Sequence, residues 1–209
     1  YYTCGDFKAV KYSLVEIFES LQGEGRNMGR KCVFVRFAGC NLACPWCDTD
    51  VQKSFDISLE DLVDEICSYQ AKMVVLTGGE PTLAKGVEFL VKALKEKGLF
   101  IAVETNGTNG YDECPWLQFV DYIACSPKAE YPHSVKLGSA NEVRVVASGE
   151  EVLPFCERVK TMIKADDYYI SPCDRGGGDF DFGTAKNVLS RLGADWALSV
   201  QMHKLLGFR

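Results

Sequence analysis

Cys40, Cys44 and Cys47 stand in the run Gly39-Cys40-Asn41-Leu42-Ala43-Cys44-Pro45-Trp46-Cys47-Asp48-Thr49-Asp50, spaced C-x3-C-x2-C. Three thiolates on one short loop can hold three corners of an iron–sulfur cube. Such clusters are ordinarily held by four cysteines. A site with three leaves one iron open to another ligand, which suits a low-potential electron source in contact with a molecule to be split. The spacing alone leaves two other chemistries open. A structural zinc site takes four ligands, usually as two C-x2-C pairs. Cys44-Pro45-Trp46-Cys47 could by itself be a thiol–disulfide couple.

Other residues fit a ligand site. In Thr77-Gly78-Gly79-Glu80-Pro81 two glycines allow close backbone approach and positive φ, although a tight strand-to-helix turn would use the same residues. Asp48-Thr49-Asp50 offers the hard oxygen ligands that Mg2+ takes, and also the residue types of an ordinary turn. Arg36 carries a planar fork that can grip a carboxylate; a structural salt bridge is its plainer role.

The elements that must position these residues alternate between strand and helix. Strands are expected at Tyr12–Phe18, Lys31–Phe37, Met73–Leu76, Leu99–Val103, Val120–Cys125, Glu142–Val146, Tyr168–Ile170 and Trp196–Val200. Ser58 reads as an N-cap with Asp61 as its capping-box acid, opening a helix whose apolar positions are Leu59, Leu62, Val63 and Ile66. A second helix carries Val87, Leu90, Val91 and Leu94 and stops at Gly98. Further helices are expected near 150–163 and 185–192. Such alternation gives a parallel sheet with helices outside it, and 209 residues fall short of the about 250 of a complete eight-unit barrel. The expectation is an α/β, single-domain, incomplete β/α barrel over 1–209. Its ligand site belongs at the C-terminal strand ends. There fall the cysteine loop (39–50), Thr77–Pro81, Glu104-Thr105-Asn106-Gly107, Ser126-Pro127-Lys128 and Ser171-Pro172-Cys173-Asp174.

Composition narrows the partners. The net charge of -6 without a long basic run disfavours nucleic acid, whose binding relies on neutralising phosphates; a small molecule fits better. No apolar run approaches the ~20 residues of a membrane span. The first residues lack the pattern of a signal peptide, and the missing initiating Met suggests a trimmed chain. Ten cysteines without a secretory signal point to a reducing, cytoplasmic compartment. Cys32, Cys67, Cys125 and Cys156 sit in apolar or helical patterns and read as small structural hydrophobes.

The cysteine spacing followed by Gly78-Gly79-Glu80-Pro81 resembles the radical S-adenosylmethionine enzymes. Within them, Glu16-Ile17-Phe18-Glu19-Ser20-Leu21-Gln22-Gly23-Glu24-Gly25 and the following Arg36 resemble the 7-carboxy-7-deazaguanine synthases. That likeness continues through Glu104–Gly107, Ser126–Lys128 and Ser199-Val200-Gln201-Met202-His203-Lys204. It implies a barrel of the radical S-adenosylmethionine type that turns 6-carboxy-5,6,7,8-tetrahydropterin into 7-carboxy-7-deazaguanine with loss of ammonia. The implied cofactors are a 4Fe–4S cluster on Cys40, Cys44 and Cys47, S-adenosylmethionine, and Mg2+ on Thr49. Gly78, Gly79, Glu80, Ser126, Pro127, Lys128, Ser171, Pro172, Cys173 and Asp174 would contact S-adenosylmethionine. Leu21, Gln22, Gly23, Glu24, Arg36, Thr77, Glu104, His203 and Arg209 would contact substrate, the last two within a C-terminal segment at 199–209. An external one-electron donor of flavodoxin or ferredoxin type and a homodimer are implied as well. The chain departs from the family pattern at Met202 and Leu205, and in the Ser171–Asp174 turn, where Ser171 stands in place of Gln in Gln-Pro-x-Asp. A radical S-adenosylmethionine activase that makes a glycyl radical on a partner shares the cysteine spacing and compact size, but has no use for the Leu21–Glu24 motif or Arg36. An iron–sulfur electron carrier would need neither an open iron nor the glycine pair.

Overall fold

The computed structural model describes residues 10–47 and 49–208. The strands are β1 (Lys11–Leu21), β2 (Lys31–Phe37), β3 (Phe55–Ser58), β4 (Met73–Gly78), β5 (Phe100–Thr105), β6 (Tyr122–Cys125), β7 (Glu142–Ala147), β8 (Asp167–Pro172) and β9 (Trp196–Leu198). The helices are α1 (Leu59–Ser68), α2 (Val87–Glu96), α3 (Leu153–Met162), α4 (Phe182–Ser190) and α5 (Met202–Leu205). All strands join one sheet in the order β3-β1-β2-β4-β5-β6-β7-β8-β9. From β2 to β9 every pairing is parallel; β1 runs antiparallel to both β2 and β3. With β3 and β9 as its edges, the sheet is the wall of an incomplete barrel.

Local chemistry sets the helix ends. Ser58 Oγ accepts the Asp61 N–H at 3.1 Å and caps α1, a bond worth about 1 kcal/mol. Gly98 follows the end of α2 with φ +71°, a left-handed conformation that a side chain would strain. The expected helix near 150–163 begins instead as a 3-10 turn, Glu150–Val152. Pro154 lies in the first turn of α3, where its missing N–H costs nothing. β1 outruns its expected span and carries Leu21 to the mouth of the next loop. The edge strand β3, four residues long with a half-exposed pattern, had no clear sequence signal. The last strand stops at Leu198 and gives way to the short α5.

The period of two along each strand divides the sheet into two faces. Val33, Val35 and Phe37, Val74 and Leu76, Ile101 and Val103, Ile123 and Cys125, and Val143 and Val145 join the main core with helix residues such as Leu62, Ile66, Leu90 and Leu94. Cys32 and Phe34, Met73 and Val75, Ala102, and Tyr122 and Ala124 form a second apolar cluster with Phe18. Along that second face the alternation leads to Arg36, Thr77, Glu104 and Arg144. The floor is apolar and the C-terminal strand ends are polar. Cys32, Cys125 and Cys156 are buried as expected, but Cys67 is exposed on α1; its position just after Ile66 turns it off the apolar stripe. Among the described residues no helix is long and apolar enough to cross a membrane.

Candidate active site

The cysteine loop leaves β2 and is closed at its base by the Gly39 N–H, which donates to the Val51 carbonyl at 3.1 Å. Cys40 and Cys47 are exposed, Cys44 is half-buried, and all three thiols are free. Burial pushes the Cys44 thiol pKa up, against the opposing pull of nearby Lys128. The Leu42 N–H donates to Cys40 Sγ at 3.4 Å, and Asn106 Nδ2 reaches the same sulfur at 4.0 Å. Free, accessible thiols with N–H donors on one sulfur fit an iron–sulfur group, whose potential such donors tune. Among the described residues no three His, Cys, Asp or Glu side chains are gathered to hold a single metal ion. Asp48 lies outside the described residues.

The glycine pair passes directly beneath this loop. A Cβ on Gly78 would sit 2.3 Å from the Phe37 backbone, and one on Gly79 would sit 1.8 Å from the Gly39 carbonyl oxygen. In that space the Gly79 N–H donates to Phe37 O and the Glu80 N–H to Gly39 O, both at 2.9 Å. Glu80 is 1% exposed. Its Oε1 accepts from the Thr82 N–H and from the Thr82 and Thr105 hydroxyls, and its Oε2 accepts from the Asn106 N–H. Asn106 Nδ2 then donates to Asn41 Oδ1 at 3.0 Å, and Asn41 Nδ2 to Thr108 Oγ1 at 2.8 Å. The loops after β2, β4 and β5 are thus tied into one body.

Ser126-Pro127-Lys128 flanks the cysteine loop from the end of β6. Lys128 Nζ donates to Ser126 Oγ at 2.8 Å and lies 4.9 Å from the centre of the Trp46 ring. Trp46 Nε1 donates to Glu130 at 3.0 Å, and the Tyr131 hydroxyl donates to the Ala43 carbonyl at 3.2 Å. These contacts hold the loop from its outer side.

Arg36 and Thr49 come together. Arg36 Nε donates to Glu16 Oε1 at 2.8 Å and Nη1 to Thr49 Oγ1 at 3.3 Å. Glu16 is its register partner on β1, so the salt bridge foreseen as Arg36's plainer role exists and also orients the fork toward Thr49.

Around Thr77, Arg36's register partner on β4, a second polar group forms. Glu104 accepts from Gln22 Nε2 at 3.0 Å, Thr77 Oγ1 at 2.9 Å and Arg144 Nη1 at 3.1 Å. Burial alone would raise the Glu104 pKa, but the Arg144 guanidinium and these hydrogen bonds hold it below the usual carboxylate value. Glu24 Oε2 lies 3.5 Å from Arg144 Nη1, and Glu24 Oε1 accepts from Ser171 Oγ at 3.4 Å. Gln22 also accepts the Glu24 N–H, which folds residues 22–24 over the site. His203 covers Gly23 so closely that a Cβ there would meet its Nδ1 at 1.8 Å.

The Ser171–Asp174 turn divides. Ser171 faces Glu24, whereas Asp174 accepts from Lys204 Nζ at 2.7 Å and from the Gly176 and Gly178 N–H groups. Burial works against ionisation of Asp174, yet these donors keep its pKa lowered. Lys204 thereby ties the C-terminal segment to the turn, with Cys173 beside Asp174 and Pro172 at the end of β8. Arg209 lies outside the described residues.

Sequence reasoning passed over Glu142 and Arg144. Both are buried, and both Nε and Nη2 of Arg144 bond to Glu142 Oε1. Their signal was present in Glu142-Val143-Arg144-Val145-Val146-Ala147: a strand buried on both faces should read as continuously apolar, and two charges two residues apart put both on one face. Tyr122, whose hydroxyl donates to Glu142 at 2.7 Å, lay within the expected strand Val120–Cys125 and was not singled out.

Comparison with known proteins agrees with this geometry. The family model described as the radical SAM superfamily matches residues 34–165. The 7-carboxy-7-deazaguanine synthase of Neisseria meningitidis serogroup B is 43% identical over 205 residues, covering 94% of each chain. That of Haemophilus influenzae is 41% identical over 204 residues, covering 94% of this chain and 93% of its own. The crystal structure of QueE from Escherichia coli superposes with a TM-score of 0.74 at 23% identity, over 95% of this chain and 97% of that one, which supports the fold. The chain therefore belongs to the radical S-adenosylmethionine superfamily and, within it, to the family of 7-carboxy-7-deazaguanine synthases.

Proposed function

We propose that this chain acts as one radical S-adenosylmethionine domain that converts 6-carboxy-5,6,7,8-tetrahydropterin to 7-carboxy-7-deazaguanine with loss of ammonia, in 7-deazapurine biosynthesis. One observation carries the reading. On a single face of the sheet, an arginine fork beside a threonine hydroxyl (Arg36, Thr49) neighbours a donor–acceptor cluster (Gln22, Thr77, Glu104), and Thr49 stands two residues after the last thiol of the three-cysteine loop. Such a face suits a flat ligand with a carboxylate at one end and an aminopyrimidinone at the other.

The superfamily's cofactors are a 4Fe–4S cluster and S-adenosylmethionine, with a reductant to supply the electron. Together they provide a 5′-deoxyadenosyl radical for hydrogen abstraction at the pterin C6. Cys40, Cys44 and Cys47 would hold the cluster, and Gly78, Gly79, Glu80, Ser126, Pro127, Lys128 and the Ser171–Asp174 turn border the space for S-adenosylmethionine. Arg36 grips the substrate carboxylate through two parallel donors. Thr49 would supply one oxygen to Mg2+, an ion that takes few protein ligands. Gln22, Thr77 and Glu104 meet the ring edge, with Leu21, Gly23, Glu24 and His203 closing over it. We assign the chain to the cytoplasm as a homodimer, with a flavodoxin or ferredoxin as donor.

The test is anaerobic turnover of reconstituted enzyme with S-adenosylmethionine, dithionite and 6-carboxytetrahydropterin. Formation of 7-carboxy-7-deazaguanine and ammonia is expected. Cleavage of S-adenosylmethionine without either product, together with a glycyl radical raised on a partner enzyme, would support an activase instead.

A further inference from the structure

Arg144 is 6% exposed, and three carboxylates surround it: Glu142 on its own strand, Glu24 from the loop after β1, and Glu104 from β5. Glu142, 0% exposed, extends the arrangement further. Its Oε2 accepts the Arg26 N–H at 2.9 Å and the Tyr122 hydroxyl at 2.7 Å. A Cβ on Gly25 would meet its oxygens at 2.2 and 2.3 Å. The Gly25 N–H also donates to Ser199 Oγ at 3.0 Å. One guanidinium thus fastens the loop that covers the site, through Glu142 and Glu24, and at the same time touches the Glu104 carboxylate inside it.

From this geometry we infer that Arg144 is a positioning residue for pterin recognition: it aims the Glu104 carboxylate between Gln22 and Thr77, and it holds the Gln22–Arg26 loop over the ring. The inference rests on the proposed pterin substrate and adds the residue that sets its ring subsite. Arg144 from β7 is bonded to Glu104 directly, and the Cys32 thiol from β2 feels its charge along with that of Arg30. Glu24 from the loop after β1 and Glu142 of β7 stand on the far sides of Arg144, with Tyr122 and Arg26 beyond Glu142. Among the described groups Arg144 is the cation that touches Glu104. Three carboxylates against one guanidinium leave negative charge in excess at this end of the site. That favours a ligand edge made of N–H donors, such as the 2-amino group and ring N–H of an aminopyrimidinone. Without Arg144, burial and the neighbouring carboxylates would act on Glu104 in the same direction and favour its protonated form. A protonated Glu104 loses acceptor capacity toward that edge.

Arg144→Met, Arg144→Lys and the double variant Arg144→Met/Glu104→Gln test this in reconstituted enzyme. Two quantities are read against pH: binding of 6-carboxytetrahydropterin, and the ionisation of Glu104 by carboxyl 13C NMR, with Glu104→Gln identifying the resonance. In the wild type, both stay flat across the neutral range, about pH 6 to about 8. In Arg144→Met, the Glu104 titration moves upward from its wild-type position, and binding is at least about tenfold weaker at the acid end and recovers toward the alkaline end. In the double variant the pH dependence disappears. Arg144→Lys keeps the charge and the flat profile, but one ammonium cannot replace a fork that reaches both sides, so binding weakens about tenfold. A loss in Arg144→Met of equal size at every pH, with an unchanged Glu104 titration, would reduce Arg144 to a packing role and overturn the inference. So would wild-type binding in Arg144→Lys, which decides the matter if the Met variant does not fold. Failure of the wild type to bind the pterin at all would instead sink the proposed substrate, while the Glu104 titration still tests what Arg144 does.

Discussion

At the scale of single residues, Arg36 and Thr49 carry the sharpest consequences. Arg36 already spends Nε on Glu16, so the donors it offers a ligand are aimed by that pair. Replacement by Lys turns a planar fork into a point charge and removes the Nε bond to Glu16. A hydrogen bond to a charged group is worth about 1.5–3 kcal/mol. Arg36→Lys should therefore lose roughly 10- to 100-fold in kcat/KM for the pterin, measured well below saturation, while cleavage of S-adenosylmethionine without pterin is unchanged. Near-normal kcat/KM would remove Arg36 from the substrate site. Thr49→Val tests the metal: it keeps the Arg36–Glu16 pair and removes one oxygen. The variant should retain its cluster and lose most of its stimulation by Mg2+. Identical Mg2+ titrations in variant and wild type would leave Thr49 a structural residue that orients Arg36.

At the scale of elements, the loops after β2, β4 and β5 behave as one unit because Glu80 and the glycine pair join them. Gly79→Ala drives a methyl into the Gly39 carbonyl, and backbone on both sides cannot yield as a side-chain tip could. The cysteine loop should shift, lowering iron content after anaerobic reconstitution while the melting temperature falls only modestly. Full iron content in this variant would show that the contact is not needed to shape the cluster loop. Glu80→Ala strips an acceptor from four buried donors and should cost about 3 kcal/mol or more in unfolding free energy, read from denaturant midpoints. Much of this was legible in the chain. The alternation of apolar strands and amphipathic helices, the Ser58 cap and the Gly98 stop each follow from local chemistry, and the polar motifs at successive strand ends pointed to one site. What could not be read were partnerships across the sheet. Nothing local in Glu142-Val143-Arg144 says that its guanidinium meets Glu104 on β5 and Glu24 beyond β1, because those contacts depend on strand order. β3 went unseen for a related reason: four half-exposed residues acquire strand character only from pairing with β1.

At the scale of the whole molecule, the fold separates support from chemistry. The helix-covered face holds the large core, and the opposite face is an apolar floor with polar strand ends. Ionised groups built into those ends make stability depend on pH. Glu104 and Asp174 have folded-state pKa values below their ordinary 4.5 and 3.8. Their contribution is therefore present above those ordinary values and is lost as pH falls through the lowered ones. Urea midpoints should fall on acidification in that window, and Glu104→Gln should show a shallower decline than the wild type. A decline of equal steepness in both would mean that Glu104 contributes nothing to acid sensitivity.

On the proposed reading, one face of the sheet grips the substrate at two ends, with the carboxylate at Arg36 and Thr49 and the ring at Gln22, Thr77 and Glu104. A crystal structure of the anaerobically reconstituted enzyme with S-adenosylmethionine, Mg2+ and 6-carboxytetrahydropterin measures this directly. The pterin carboxylate should lie within hydrogen-bond distance of the Arg36 guanidinium, with Mg2+ between it and Thr49. The aminopyrimidinone edge should lie against Glu104 and Gln22. A pterin bound in the reverse sense, or on another surface with Arg36 and Glu104 untouched, would rule out this two-ended grip.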